Sequence, residues 1–238
     1  MAEIQETHLN HEETERYARH IILREIGGPG QQKLKAARVV VIGAGGLGAP
    51  VLSCLAAAGV GTLGIVDNDD VSLSNLQRQT IHDTENIGTA KTESAEKAIK
   101  RINPHVRTIK HTLRLNDDNA EDILTPYDII VDGSDNFTTR YLLADIAEKI
   151  KKPLVSGAIN RFDGSVTVLK PYEGSNPGYR DLFPVPPPDS VVPGCADIGV
   201  IGALPVIIGG LQAMEVIKLV TGSGEVLVGR LVLYDGLG

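Results

Sequence analysis

The stretch RVVVIGAGGLGAP, residues 38–50, decides the reading of the fold. A β-branched run predicts a buried strand, and GLGAPVLSCLAAAG after it predicts a helix closed by Gly59. Between them stand Gly43, Gly45 and Gly48, with Gly46 beside them. After a strand, the first glycine permits a tight turn and the second lets the backbone approach a phosphate. The third lets the helix lie close to the sheet. The start of the helix adds free N–H groups and a partial positive charge. The pattern predicts a nucleotide site. It leaves open whether NAD, FAD or ATP binds, and whether the ligand is a redox cofactor or a consumed reagent.

The same alternation continues along the chain. TLGIVD predicts a second strand, ending at Asp67, where an acid accepts hydrogen bonds from ribose hydroxyls. Further on come a helix (TAKTESAEKAIKRIN), two strands (HVRTIKH and YDIIVDGSD), a helix (NFTTRYLLADIAEKI) and a strand (PLVSGA). Strands alternating with helices predict an α/β, Rossmann-like sheet with helices on both faces. It is mainly parallel in the N-terminal two-thirds, and GSVTVLK and GRLVLYD add antiparallel strands at the C-terminal end. No internal repeat is visible, and a single domain over 1–238 is the economical reading.

At the N-terminus, Tyr17, Ala18, Ile21 and Ile22 recur at helical spacing, with Glu12, Arg16 and Arg19 on another face. This predicts an amphipathic helix ended by GGPG, making 1–30 a helical arm. Residues 171–197 carry more than half of the prolines and also Cys195, and read as a long loop. The apolar run IGVIGALPVIIGGL is short for a membrane span. With Gln212, Glu215 and Lys218 following at helical spacing, it reads as a buried core helix.

Composition narrows the function classes. Hydrophobic residues at 42% and charged residues at 22% fit a packed domain, and a net charge of −7 argues against broad nucleic-acid binding. Two cysteines, Cys54 and Cys195, make neither a disulfide framework nor a zinc site by themselves. Cys54, among alanines, reads as packing. His8 and His11 lie in a polar terminus and read as solvated. The N-terminus has no basic segment followed by an apolar one, so a cytoplasmic location and no membrane partner are expected.

Asn75 and Arg78 follow Asp67, and Lys91 opens a helix soon after. A dinucleotide held for hydride transfer has little need of such cations. A triphosphate to be cleaved does, because charge on the departing pyrophosphate must be neutralised. In VDGSDNFTTR, Asp132 and Asp135 stand where a strand hands over to a helix, at the carboxyl edge where doubly wound sheets bind ligands. Asp135 reads equally as an Mg²⁺ ligand or as a helix cap.

The motifs RYARHIIL, GAGGLGAPV, LAAAGVG, VDNDDVSLSNLQRQ, GTAKTESA, RINP, GSDNFTTR, LVSGA and LQAMEVIK run in order from Tyr17 toward Tyr234. In these the chain resembles the MoeB/ThiF/HesA family, bacterial relatives of ubiquitin-activating enzymes. The resemblance implies ATP-dependent adenylation of the C-terminal Gly-Gly carboxylate of a ubiquitin-like sulfur carrier, of the MoaD or ThiS kind. That activation serves sulfur transfer in molybdopterin or thiamine biosynthesis. By motif, Gly43, Gly45, Gly46 and Gly48 would cradle phosphates and Asp67 would hold the ribose. Asn75, Arg78 and Lys91 would contact the triphosphate, and Asp135 would hold Mg²⁺. Arg19 would reach into the partner's site of a homodimer, and Cys195 would stand near the activated tail as a sulfur-transfer thiol. Where many relatives carry the first CxxC pair of a structural zinc, this chain has GYRD, 178–181, so no structural zinc is expected. Two other classes stay open: an NAD-dependent oxidoreductase, resting on the glycine loop and Asp67, and a noncatalytic ATP-binding scaffold.

Overall fold

A computed structural model describes residues 8–185 and 199–238; Cys195 and the rest of 186–197 in the proline-rich stretch therefore lie outside the described residues. The chain opens with α1 (His11–Arg16), α2 (Ala18–Ile21) and α3 (Gly27–Ala36), then alternates. Strand β1 (Arg38–Ile42) leads to α4 (Gly48–Ala58), β2 (Thr62–Val66), α5 (Lys91–Ile102) and β3 (Arg107–His111). Next come α6 (Ala120–Leu124), β4 (Ile129–Asp132), α7 (Phe137–Lys149), β5 (Leu154–Asn160) and β6 (Asp163–Leu169). The short α8 (Tyr179–Leu182), the long α9 (Ala203–Thr221) and β7 (Val232–Asp235) complete the order.

The strands form one sheet in the order β3-β2-β1-β4-β5-β6-β7. Pairings are parallel from β3 through β5 and antiparallel from β5 to β7, as the sequence pattern predicts. Strands β1, β2 and β4 are buried almost throughout, as strands covered on both faces must be. One core layer joins them to α4, α5 and α9, and a second joins them to α6, α7 and α8. Strands β1 and β4 are parallel neighbours from which the strand order runs outward in opposite directions, which opens a crevice at their carboxyl ends.

The N-terminal expectation needs correction. Instead of one helix, α1 and α2 are separated at Tyr17, whose buried hydroxyl accepts a hydrogen bond from Asn103 Nδ2 at 2.7 Å. GGPG does not end a helix; it begins α3. Gly27 turns the chain at φ +60°, and Pro29 falls in the first turn, where its missing N–H breaks no helical bond. The same residues that punctuate a helix end thus serve as a helix start.

Helix α9 is long and apolar enough to cross a membrane by length and composition, yet it packs against α4, α3, β5 and β6. Its buried polar residues explain its place. Gln212 Nε2 donates to the Asp132 carbonyl at 2.7 Å, and the Glu215 carboxylate accepts the Leu227 N–H at 2.8 Å and pairs with Lys218. Gln212 lies against Gly157, where a Cβ would come within 2.5 Å of its amide carbon. These bonds tie the helix to the end of β4. Replacing Gln212 by Leu leaves the Asp132 carbonyl without this donor. It should lower unfolding free energy by about 1–3 kcal/mol in chemical denaturation; an unchanged midpoint would contradict this role.

Candidate nucleotide site

The crevice beyond β1 and β4 holds a cavity of about 290 Å³ lined by the glycine loop, Asp67, Arg78, Lys91, Asp135 and Arg140 among others. The loop earns its glycines at two points. Gly43 has φ +90°, and a Cβ there would lie 2.8 Å from the Gly133 carbonyl oxygen. A Cβ on Gly48 would lie 1.7 Å from the Gly43 carbonyl oxygen. By contrast, Gly45 and Gly46 line the cavity, with no atom of the described residues closer than 3.5 Å to a Cβ added at either. Among the described residues, the amides of Gly45, Gly46 and Leu47 donate to no protein acceptor, which leaves them available to an anion.

Ala44 is clamped from both sides. Its N–H donates to Asp67 Oδ2 at 2.8 Å, and its carbonyl lies 2.8 Å from His82 Nε2. The carbonyl only accepts, so Nε2 carries the proton, and Nδ1 of the neutral ring accepts from the Ser94 hydroxyl at 2.8 Å. Burial pushes His82 below the ordinary imidazole range, against the opposing pull of the Ala44 carbonyl. Burial likewise raises Asp67, against the nearby Lys91 charge and two backbone N–H donors. Asp67 Oδ1 accepts the Asp69 N–H at 2.9 Å, and each carboxylate oxygen keeps a lone pair for a ribose hydroxyl.

The other expected residues divide. Lys91 is buried at the start of α5 and donates to Asp69 Oδ2 at 2.7 Å, a partner the sequence reading missed. Arg78 lines the cavity and is steadied by the Ser74 carbonyl at 3.1 Å. Asn75 does not line it; its side-chain oxygen accepts the Ser72 N–H at 3.1 Å in its own turn. Arg19 is exposed on α2, away from this cavity, and makes no hydrogen bond or ion pair among the described residues.

The two aspartates at the end of β4 are not alike. Asp132 is buried; its Oδ1 accepts from the Ser134 N–H at 2.9 Å and hydroxyl at 2.6 Å. Burial raises its carboxyl above the usual range, opposed chiefly by Arg140. Asp135 is exposed and unbonded among the described residues. The helix cap is Asn136, whose side chain accepts the Thr139 N–H at 2.9 Å, so the cap reading of Asp135 is overturned. Its carboxylate is left facing the cavity edge. GYRD, where a zinc pair stands in many relatives, opens α8: Asp181 accepts the Gly178 N–H at 2.8 Å, and Arg180 pairs with Asp145 at 2.7 Å. Cys54, expected to pack, is exposed on α4.

A second cavity, of about 440 Å³, adjoins the first and shares Asp135, Arg140 and Ile159 with it. Its walls are mainly apolar: Phe137, Tyr179, Phe183, Leu231 and Leu233 stand around the outer face of β5 and β6. No periodicity in the sequence marks this trough. His82, Gln79 and Arg140, buried around the first cavity, are likewise silent until the fold brings them together.

A doubly wound α/β sheet with free loop amides, an acid at the end of β2 and two cations at its switch point defines a nucleotide-binding protein. A model of the ThiF family matches residues 17–238, and the chain belongs to that family. It is 52% identical over 231 residues to the probable adenylyltransferase/sulfurtransferase MoeZ of Mycobacterium tuberculosis, covering 96% of this chain and 59% of that protein. It is 50% identical over 229 residues to the sulfur carrier protein adenylyltransferase of Thermus thermophilus, covering 95% of this chain and 84% of that one. The chain thus spans less than two-thirds of MoeZ but most of the Thermus relative. Among solved structures, that of PaaA superposes with a TM-score of 0.81 at 25% identity, covering 99% of this chain and 74% of PaaA. Escherichia coli MccB with ATP gives 0.77 at 21% identity, covering 93% and 71%, a likeness of fold.

Two outcomes test the loop. Gly45→Ala should leave stability within about 0.5 kcal/mol yet weaken ATP binding measured by calorimetry, because the added methyl meets the ligand and not the protein. The His82 contribution has a definite sign. Its folded pKa is depressed, so the unfolded chain binds the proton first. Stability is full above the ordinary histidine value of about 6.5 and is lost as pH falls below it. A pH series of thermal denaturation should show this acid loss in the wild type and less of it in His82→Gln; equal acid slopes would contradict the clamp.

Proposed function

We propose that the chain adenylates the C-terminal glycine carboxylate of a ubiquitin-like sulfur carrier, of the MoaD or ThiS kind, using ATP. The observation that carries this reading is the meeting of a polar, phosphate-ready cavity with an apolar trough at Asp135 and Arg140. A dinucleotide oxidoreductase needs no trough for a polypeptide tail, and a scaffold needs no unbonded carboxylate at the phosphate edge. The names of the relatives, an adenylyltransferase/sulfurtransferase and a sulfur carrier protein adenylyltransferase, favour the same choice.

In this reading the loop amides take the phosphates, Asp67 holds the ribose, and Arg78 and Lys91 neutralise charge building on the departing pyrophosphate. A carboxylate oxygen of the tail attacks the α-phosphorus, the bond to pyrophosphate breaks, and an acyl-adenylate forms with no protein nucleophile. Asp135 suits Mg²⁺, which is held by one or two carboxylates together with phosphates and needs no cage of protein ligands. When bound, the ion supplies charge neutralisation between phosphate groups. Asp135→Ala should reduce carrier-dependent exchange of pyrophosphate into ATP by at least about a hundredfold while leaving the denaturation midpoint unchanged. Near-normal exchange would contradict the assignment.

The active form in this reading is a homodimer. Helix α9 leaves Val206, Ile207 and Met214 exposed on one flank, and Ile22 and Leu23 are exposed after α2. An apolar surface of this kind fits a second copy, and Arg19, which makes no contact at its own crevice, would complete the partner's site. Mixing inactive Arg19→Ala and Asp135→Ala proteins should then recover activity. Each mixed dimer would carry one intact site, giving roughly a quarter of the wild-type rate at equal mixing. No recovery, with mixed dimers demonstrated, would place Arg19 elsewhere.

A further inference from the structure

Arg140 is the cation common to both cavities, and its setting is unusual for a structural ion pair. It is 8% exposed. Its Nη2 donates to the Ser134 carbonyl at 3.2 Å, and the guanidinium lies 5.5 Å from the centre of the Phe137 ring. Tyr179 of α8 lines the same trough beside it. Among the described residues, the nearest carboxylate oxygen, Asp132 Oδ2, is 3.8 Å from Nε, too far for a hydrogen bond, and both atoms are left without one. Asp132 spends Oδ1 on Ser134 instead. The carboxylate therefore balances the arginine's charge from behind without engaging its fork of donors.

A guanidinium held this way matches a planar group with two anionic oxygens. The phosphate side of the crevice already has Arg78, Lys91 and the free amides of the loop. The apolar trough, in contrast, has no cation besides Arg140 among the residues lining it. A peptide tail lying in that trough reaches Arg140 at its inner end.

We propose that Arg140 binds the terminal carboxylate of the incoming peptide tail and holds it at the junction of the two cavities. Resting on the adenylation reading above, the inference makes Arg140 a substrate-binding residue. The carboxylate stays ionised and no proton moves. Its oxygen forms the bond to the α-phosphorus as the bond to pyrophosphate breaks.

The test compares one ubiquitin-like carrier ending in Gly-Gly as the free carboxylate and as the C-terminal amide. Both are titrated calorimetrically into protein saturated with a non-hydrolysable ATP analogue. Wild type should prefer the carboxylate by about tenfold or more. Arg140→Gln should lose that preference with analogue affinity unchanged, and Arg140→Lys should keep part of it, since an ammonium cannot engage both oxygens in a fork. Should Arg140→Gln fail to fold, Arg140→Lys carries the comparison. A full carboxylate preference in either folded variant overturns the proposal, as does weakened analogue binding with the preference intact. Wild-type pyrophosphate exchange run in parallel separates the two levels. Exchange with an unmoved preference rejects Arg140 alone, whereas absent exchange rejects the adenylation reading and Arg140 with it.

Discussion

The close approach of α4 to the end of β1 is the constraint on which the rest of the site depends. It exists because Gly48 has no Cβ to strike the Gly43 carbonyl, and because Gly43 can turn at positive φ beneath Gly133. With the helix seated so low, its first amides and those of the loop face outward at the crevice. The clamp on Ala44 then fixes the loop, with Asp67 taking its N–H and His82 its carbonyl. Asp67 is therefore part of the loop's support, and the proposed contact with ribose would use different lone pairs.

The far side of the crevice depends on β4 and α9. Gln212 anchors α9 to the carbonyl of Asp132, while the Asp132 side chain holds Ser134. Asn136 caps α7, and Asp135 is left unbonded among the described residues. One turn later, Arg140 stands against Asp132 at the shared edge of the two cavities. A strand end, a cap and a helix turn thus deliver an anion and a cation to the same junction. The polar cavity is built mainly around β1 and α4, and the apolar trough around β5, β6 and α7.

Much of this was legible in the sequence, for reasons that differ by element. Strand alternation gave the parallel sheet and its antiparallel edge, because burial on both faces forces continuous apolar runs. The glycine spacing gave the loop, since only a residue without Cβ satisfies those contacts. GGPG was misread because glycine and proline mark helix starts as well as ends, and only the chain's path decides between them. Asn75 was placed in the crevice by motif, yet its side-chain oxygen is used within its own turn. Asp132 and Asp135 share a strand–helix junction in the sequence, and only the fold shows that the first is buried and the second exposed. His82 and its partner Ser94 are joined through tertiary packing, as are Lys91 and Asp69, and no local period announces such pairs.

The most direct measurement is the mass of a ubiquitin-like carrier ending in Gly-Gly after brief incubation with this protein, ATP and Mg²⁺. The account predicts that the carrier gains one AMP and that omitting ATP, or blocking the terminal carboxylate as an amide, abolishes the gain. A carrier of unchanged mass, together with binding of NAD in the glycine-loop cavity, would contradict it.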